Sequence, residues 1–410
     1  MTTATPLTEP REGVPAVIED EAALDEAIRL IAAGTGPVAI DTERASGYKY
    51  SQRAYLVQLR REGAGTILID PIATPSLDRL GDAIADAEWI LHAASQDLSC
   101  LAEIGMRPAR IFDSEVAGRL LGFERVSLGA MLEACLDVIL AKEHSAADWS
   151  TRPLPAPWLT YAALDVEMLI ELRENLVLQL EASGKLGWAE QEFQATLDAP
   201  APLPRAEPWR RVSGVHAARS RRALAEVRAL WETRDGIARQ RDIAAGRILP
   251  DRAIMNAVTS APATKADLLA LPVFSGPRMR RQVDVWWLAL RTARALPDAE
   301  LPLLSPTRGD GPPSGRWSDR DPQAAARLAA ARIALATVAE QHTLQVESLL
   351  EPAVVRRVAW YDPPDLVSYL TDARVRPWQI ELTAEVLAVA MASAAEPATD
   401  VAPDSEPEDA

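Results

Sequence analysis

At 410 residues the chain exceeds what one hydrophobic core usually serves, so two or three domains are expected, and 48% hydrophobic with 25% charged residues is the balance of a globular protein. Two cysteines, Cys100 and Cys135, exclude a disulfide framework, and no CxxC or Cys/His cluster marks a zinc site. The net charge of −16 argues at first against a nucleic-acid partner.

Met1 to Pro15 carries Glu9, Arg11 and Glu12 among Thr and Pro, with neither a basic region nor an apolar stretch of a signal peptide, and residues 1–14 read as a disordered tail. Nowhere do 18 apolar residues run together, so no membrane span and a cytoplasmic location are expected. Between 15 and 200, strand signals (Pro37–Ile40, Ala54–Leu59, Thr66–Ile69, Trp89–Leu91) mix with helical spacings at Leu77-Leu80-Ile84, Val116-Leu120-Leu121 and Leu164-Leu169-Leu172-Leu176. That mixture predicts an α/β domain. The Pro-rich stretch 199–204 marks a boundary. Residues 205–296 are helical in period, with Leu224, Val227 and Trp231 on one face. A linker follows at 297–322, holding six prolines with Gly309, Gly311 and Gly315, then a second helical domain at 323–395 and an acidic, disordered tail at 396–410.

The charge is unevenly spread. Residues 205–294 hold seventeen Arg and one Lys against eight acids, a surplus of +10 that leaves −26 for the remainder. Such asymmetry hints at nucleic-acid work. The alternative is a clamp, in which Arg219, Arg221, Arg222, Arg228, Arg234, Arg239 and Arg241 pair with acids elsewhere in the chain.

Three fragments carry chemistry when taken together. Asp41 and Glu43 follow the apolar run Val38-Ala39-Ile40, and strand alternation sends both carboxylates to one face, a hard oxygen site for Mg²⁺ or Mn²⁺. Asp97 follows an apolar strand and a small-residue turn in Leu91–Leu98, where an acid in the first turn of a helix is the plain reading. Tyr161 and Asp165 are spaced i,i+4, which puts phenol and carboxylate side by side on a helix. Each fragment alone is commonplace.

In this order, Asp-x-Glu, Asp, Tyr-x-x-x-Asp, the pattern resembles the tyrosine-bearing branch of the DEDD exonuclease superfamily. Ala39-Ile40-Asp41-Thr42-Glu43, His92–Asp97, Ile111–Ser114, Asp148–Leu154 and Tyr161–Val166 are similar to ribonuclease D. Leu230–Asp235, Arg247–Asp251 and Ala261–Leu269 resemble the HRDC domain, a small helical bundle, and 323–395 takes the place of a second HRDC-like domain by position alone. The fold this implies is an α/β ribonuclease H-like exonuclease domain, a mixed sheet flanked by helices, followed by one or two all-α HRDC-type domains.

The activity implied is 3′→5′ hydrolysis of RNA bearing a free 3′ end, such as tRNA precursors, by two divalent ions, Mg²⁺ or Mn²⁺. DNA is the alternative substrate, and an inactive nucleic-acid-binding adaptor the alternative class. By resemblance Asp41, Glu43 and Asp165 hold the metal that activates water, Asp41 bridges to a second, Asp97 acts through metal-bound water, and Tyr161 orients the attacking water. Where the family usually has an aromatic after the glutamate, this chain has Arg44. Arg44, Tyr48, Tyr50 and Arg53 either grip the terminal nucleotide or form an ordinary loop, and Arg152 is expected at a phosphate. Trp149 is read as a packing residue, and His92, inside a strand, as a core hydrogen-bonder rather than a ligand. With every catalytic acid inside 15–200, cleavage of very short oligomers is expected to be independent of 205–294.

Overall fold

The computed structural model describes residues 4–140, 146–200, 204–305, 315 and 317–395. Among them no helix is long and apolar enough to cross a membrane. The strands are β1 (Thr5–Leu7), β2 (Val17–Ile18), β3 (Thr35–Arg44), β4 (Ala54–Glu62), β5 (Gly65–Ile69), β6 (Trp89–Leu91), β7 (Ile111–Asp113) and β8 (Val138–Leu140). Six of them form one mixed sheet in the order β2-β5-β4-β3-β6-β7, while β1 pairs in parallel with β8. In the centre, β3 runs antiparallel to β4 and parallel to β6. Burial explains the choice of centre: Val38, Ala39, Ile40, Leu56, Val57, Leu59 and Trp89 are almost wholly inaccessible, as strands covered on both faces must be.

The helices are α1 (Glu21–Ala33), α2 (Asp78–Ala83), α3 (Leu98–Glu103), α4 (Ser114–Leu120), α5 (Leu128–Leu136), α6 (Ala156–Glu167), α7 (Leu169–Ala182), α8 (Leu186–Leu197), α9 (Arg221–Arg241), α10 (Ala245–Ile248), α11 (Asp251–Ser260), α12 (Lys265–Ala270), α13 (Pro277–Ala295), α14 (Trp317–Arg320), α15 (Pro322–Gln341), α16 (Val346–Leu349), α17 (Pro352–Tyr361), α18 (Leu366–Asp372) and α19 (Pro377–Ala395). They divide between two compact units, the first comprising the described residues of 1–111, 136–171 and 198–307 and the second those of 112–135, 172–197 and 308–410. A mixed sheet flanked by helices, followed in the chain by all-helical structure, is therefore the architecture.

Within the first unit, the segment expected to be a disordered tail is ordered from residue 4. β1 pairs with β8, and Arg11 bonds Glu167 at 2.7 Å and Glu171 at 2.6 Å. The Glu167 side chain is fully buried, so its charge requires the nearby cations Arg11 and Arg60, the latter at 3.4 Å. The helical module begins where Ser220 caps α9 by accepting from Ala223 N, and Thr264 with Asp267 forms a capping box on α12. Its core holds Leu224, Val227, Leu230, Ile254, Phe274, Trp286 and Leu290, with Trp231 packed at the margin. The expected linker at 297–322 opens on docked structure: Leu301 is buried with Ala225 and Ala293, and Arg221 donates to the carbonyls of Asp298, Leu301 and Pro302. Its Gly309 and Gly311 lie outside the described residues, as does the tail 396–410.

In the second unit α4, most of α5 and α7, and α8 group with α14–α19. The tie is specific. Trp378 stacks on Trp188 at 4.8 Å and donates from Nε1 to Glu192, which also pairs with Arg376 at 2.8 Å. Buried Lys185 donates to the carbonyls of Leu120 and His342, satisfying helix ends that would otherwise be orphaned.

Candidate active site

β3 continues for four residues beyond its apolar run, and Asp41, Thr42, Glu43 and Arg44 extend from the centre of the sheet. Period-two alternation places Asp41 and Glu43 on one face and Thr42 on the other. α6, opened by Pro155 with a proline in its first turn, packs across β3, β4 and β5. One carboxylate oxygen each from Asp41, Glu43 and Asp165 lies within 4.8 Å of the others. Tyr161, one turn before Asp165 on α6, hydrogen-bonds it.

The electrostatics follow from burial. Desolvation pushes Asp41 well above the usual carboxylate range, and the charges of Asp97 and Asp165 push it further. Glu43 is raised in the same way, by burial first and then by Asp41 and Asp165. Asp165 is pushed up to about 7 by burial, against the hydrogen bond from Tyr161, which favours its ionised form. Three desolvated acids that repel one another form a poor resting place for three negative charges and a good one for a divalent cation, whose ligands are hard oxygens. The residues present fit such an ion. Burial, then Asp165 and Glu43, raise the Tyr161 hydroxyl above its ordinary range, so it is protonated at neutral pH.

Asp97 is held differently. The chain turns after β6 through Ala93 at φ 63° and a short 3₁₀ turn at Ala94–Gln96, delivering Asp97 to the start of α3. It makes no side-chain cap hydrogen bond there. Instead it accepts from Thr42 Oγ1 at 2.7 Å, and its backbone carbonyl accepts from Cys100 Sγ at 3.1 Å. Asp97 thus stands beside the three-carboxylate cluster and raises the pKa of Asp41.

The five residues expected at nucleic acid separate. Arg44 is half-buried at the cluster, with NH2 3.3 Å from Gln96 Oε1 and 4.0 Å from Asp97 Oδ1. Arg53 is exposed, with its guanidinium 5.1 Å over the Tyr55 ring. Tyr50 instead donates to Asp235 and packs on the helical module, and Tyr48 lies beneath Arg247. Arg152 is spent inside the fold. Its Nε and NH2 form a fork on Asp70 at 2.5 and 2.8 Å, NH2 also meets Tyr55 O, and NH1 meets Trp149 O and Thr151 O. Five acceptors match the five N–H donors of a guanidinium, which leaves none for a phosphate. Trp149 is fully buried against Trp158 and Tyr161. His92 sits one residue beyond β6, half-buried, and His144 lies outside the described residues.

Gln58 is a polar residue within an apolar strand run. Its Nε2 donates to Asp41 Oδ2 at 3.2 Å from the facing position on β4. The signal was present, because a polar residue inside the buried run Ala54–Leu59 is kept there only if it has a partner. Thr42 lies between the two carboxylates in sequence, and a strand residue facing away from them is placed to reach a third.

Comparison with known proteins gives the class and then the family. Residues 15–181 match a 3′-5′ exonuclease model, 223–290 an HRDC domain, and 311–391 a 3′ to 5′ exonuclease C-terminal domain. A ribonuclease D of Granulibacter bethesdensis is 30% identical over 339 residues, covering 80% of this chain and 82% of that protein, and one of Gluconacetobacter diazotrophicus matches to the same extent. Among solved structures, a protein from Bifidobacterium adolescentis superposes with a TM-score of 0.85 at 37% identity, over 95% of this chain and 100% of that one. Escherichia coli RNase D superposes at 0.65 with 25% identity, over 92% and 98%. Fold and carboxylate cluster define a 3′-5′ exonuclease of the DEDD type. The chain belongs to the ribonuclease D family, and its activity is that of a 3′-5′ exoribonuclease.

Proposed function

We propose that this protein trims structured RNAs, tRNA precursors among them, from their 3′ ends in the cytoplasm, using two Mg²⁺ or Mn²⁺ ions. The observation that carries this reading is the convergence of Asp41, Glu43 and Asp165 on one small volume in a desolvated setting. Support for the substrate comes from Escherichia coli RNase D, described as an exoribonuclease involved in structured RNA processing. Asp41, Glu43 and Asp165 would hold one ion, Asp41 would also reach the second, and Asp97 would act on it through bound water. When bound, the pair supplies an acidified water and neutralises charge on the attacking and leaving oxygens.

The protein's own groups do the rest. Tyr161, kept protonated, cannot act as a base at neutral pH, so it orients the attacking water by a hydrogen bond. Thr42 fixes the rotamer of Asp97, and Gln58 that of Asp41. Arg44 and exposed Arg53 meet the terminal nucleotide. In the basic module several arginines satisfy backbone carbonyls, Arg221 and Arg222 among them. A carbonyl carries no formal charge; Arg222 also pairs with Asp298, outside the segment, at 2.8 Å, and the field of the surplus that remains would draw in the RNA body. Matched 3′-labelled RNA and DNA, each with Mg²⁺ and with Mn²⁺, test the reading. Stepwise shortening of the RNA from its 3′ end is expected, and equal or faster loss of DNA would overturn the substrate assignment.

A further inference from the structure

The loop joining β3 to β4, residues 45–53, leaves the sheet directly after Arg44 and is gripped by the helical module. Ser51 N donates to Asp242 Oδ1 at 2.8 Å, Ala244 N to Tyr48 O at 2.9 Å, Arg247 Nε to Gly47 O at 2.8 Å, and Tyr50 OH to Asp235 Oδ1 at 3.0 Å. The Arg247 guanidinium lies 3.8 Å over the centroid of the Tyr48 ring, close contact for a cation on a π face.

Two aromatic side chains, two residues apart, enter two different cores. Tyr50 packs on the module, against the cluster of Leu230, Ala238 and Ile248. Tyr48 packs on the cluster formed by Ala45, Tyr55, Trp149, Ala162 and Ala163, and Tyr161 packs on that same cluster. The loop is therefore anchored in two cores, and the one that takes Tyr48 also takes the tyrosine of the active site. A module that only gripped distant RNA would have no need of these bonds to the loop that follows the strand carrying Asp41 and Glu43.

We propose that Asp235, Asp242 and Arg247 are positioning residues for hydrolysis, and that the helical module is a brace which, through the 45–53 loop, sets Tyr161 and Arg44 against the carboxylate cluster. The inference rests on reading that cluster as the hydrolytic site. It reverses the expectation that short substrates are indifferent to residues 205–294. Misplacement of catalytic groups by a fraction of an ångström is enough to slow turnover, whatever the length of the substrate.

The test is steady-state kinetics of the full chain on the shortest oligoribonucleotide the wild type cleaves. Arg247→Ala is expected to lower kcat by about tenfold or more, with a smaller change in KM. Arg247→Lys, which keeps a cation over Tyr48, should recover most of the loss. Asp284→Asn, in the same module and bonded to Lys265 rather than to the 45–53 loop, should behave as wild type. If Arg247→Ala does not fold, Tyr50→Phe combined with Asp242→Asn removes two of the bonds and should act in the same direction. Hydrogen exchange should then quicken at Tyr48–Ser51 and stay slow over 38–43. Wild-type kcat in Arg247→Ala on the short oligomer, with affinity lost only for long RNA, would overturn the brace. Failure of the wild type to cleave any RNA with a divalent ion present would instead remove the hydrolytic reading, and the brace with it.

Discussion

Gln58 Nε2 lies 3.2 Å from Asp41 Oδ2, across the β3–β4 ladder, and Gln58 is itself completely buried. The bond holds the carboxylate of Asp41 in one orientation at no cost in formal charge. Gln58→Leu keeps the volume and removes the donor. Groups that orient a metal ligand typically alter metal affinity or activity by about 10- to 100-fold when lost. Titrating activity with Mg²⁺ should show at least about a tenfold rise in the half-saturating concentration. An unchanged curve would mean that Asp41 needs no such support.

Asp165 couples activity to stability, and the sign can be worked out. Its carboxyl is raised to about 7 in the folded protein, above its ordinary value near 4, so the native state binds the proton more tightly than the unfolded chain does. Stability from this group is therefore greatest below about pH 4 and is lost as pH rises to about 7. Without metal, Asp165→Asn should be inactive yet melt at a higher temperature than wild type at neutral pH, the difference closing in acid. Thermal melts in chelator across that range decide it. Equal melting temperatures at neutral pH would contradict the raised pKa.

Tyr161→Phe separates orientation from binding. The hydroxyl is protonated and bonded to Asp165, so its removal should reduce kcat by about ten- to a hundredfold and leave KM nearly unchanged. A rise in KM at constant kcat would make Tyr161 a platform for the substrate instead.

Arg152→Lys distinguishes a structural cation from a phosphate contact. Lysine cannot reproduce the fork on Asp70, a carboxylate only 4% exposed in its side chain, and the loss should cost about 2 kcal/mol, tempered by the partial exposure of Arg152. A lower unfolding temperature with an unchanged KM for RNA is expected. Unchanged stability with a raised KM would restore the phosphate role.

What the chain alone revealed was whatever depends on short-range periodicity. Asp41 and Glu43 share a face because side chains alternate on β3, and Tyr161 meets Asp165 because a helix repeats near four residues. What stayed hidden depends on register and packing between distant segments. Gln58 faces Asp41 only through the pairing of β3 with β4, and Arg152 finds Asp70 from 82 residues away. An exposed-looking arginine in sequence says nothing of which acceptors the fold will bring to it. Tyr48 and Tyr50 likewise looked like nucleic-acid contacts, since stacking on a base and stacking beneath Arg247 draw on the same ring. The N-terminal arm looked disordered because its partner Glu167 is remote along the chain.

The most direct test of the account is hydrolysis by Asp41→Ala. Asp41 is the residue that every part of the site converges upon: it shares the cluster with Glu43 and Asp165, accepts from Gln58, and feels the charge of Asp97. With folding verified by circular dichroism, single-turnover cleavage of 3′-labelled RNA at saturating Mg²⁺ or Mn²⁺ should fall by about a thousandfold or more, the loss of several kcal/mol of transition-state stabilisation. A variant that kept more than a few per cent of wild-type activity, with the same dependence on metal, would contradict the assignment of the site.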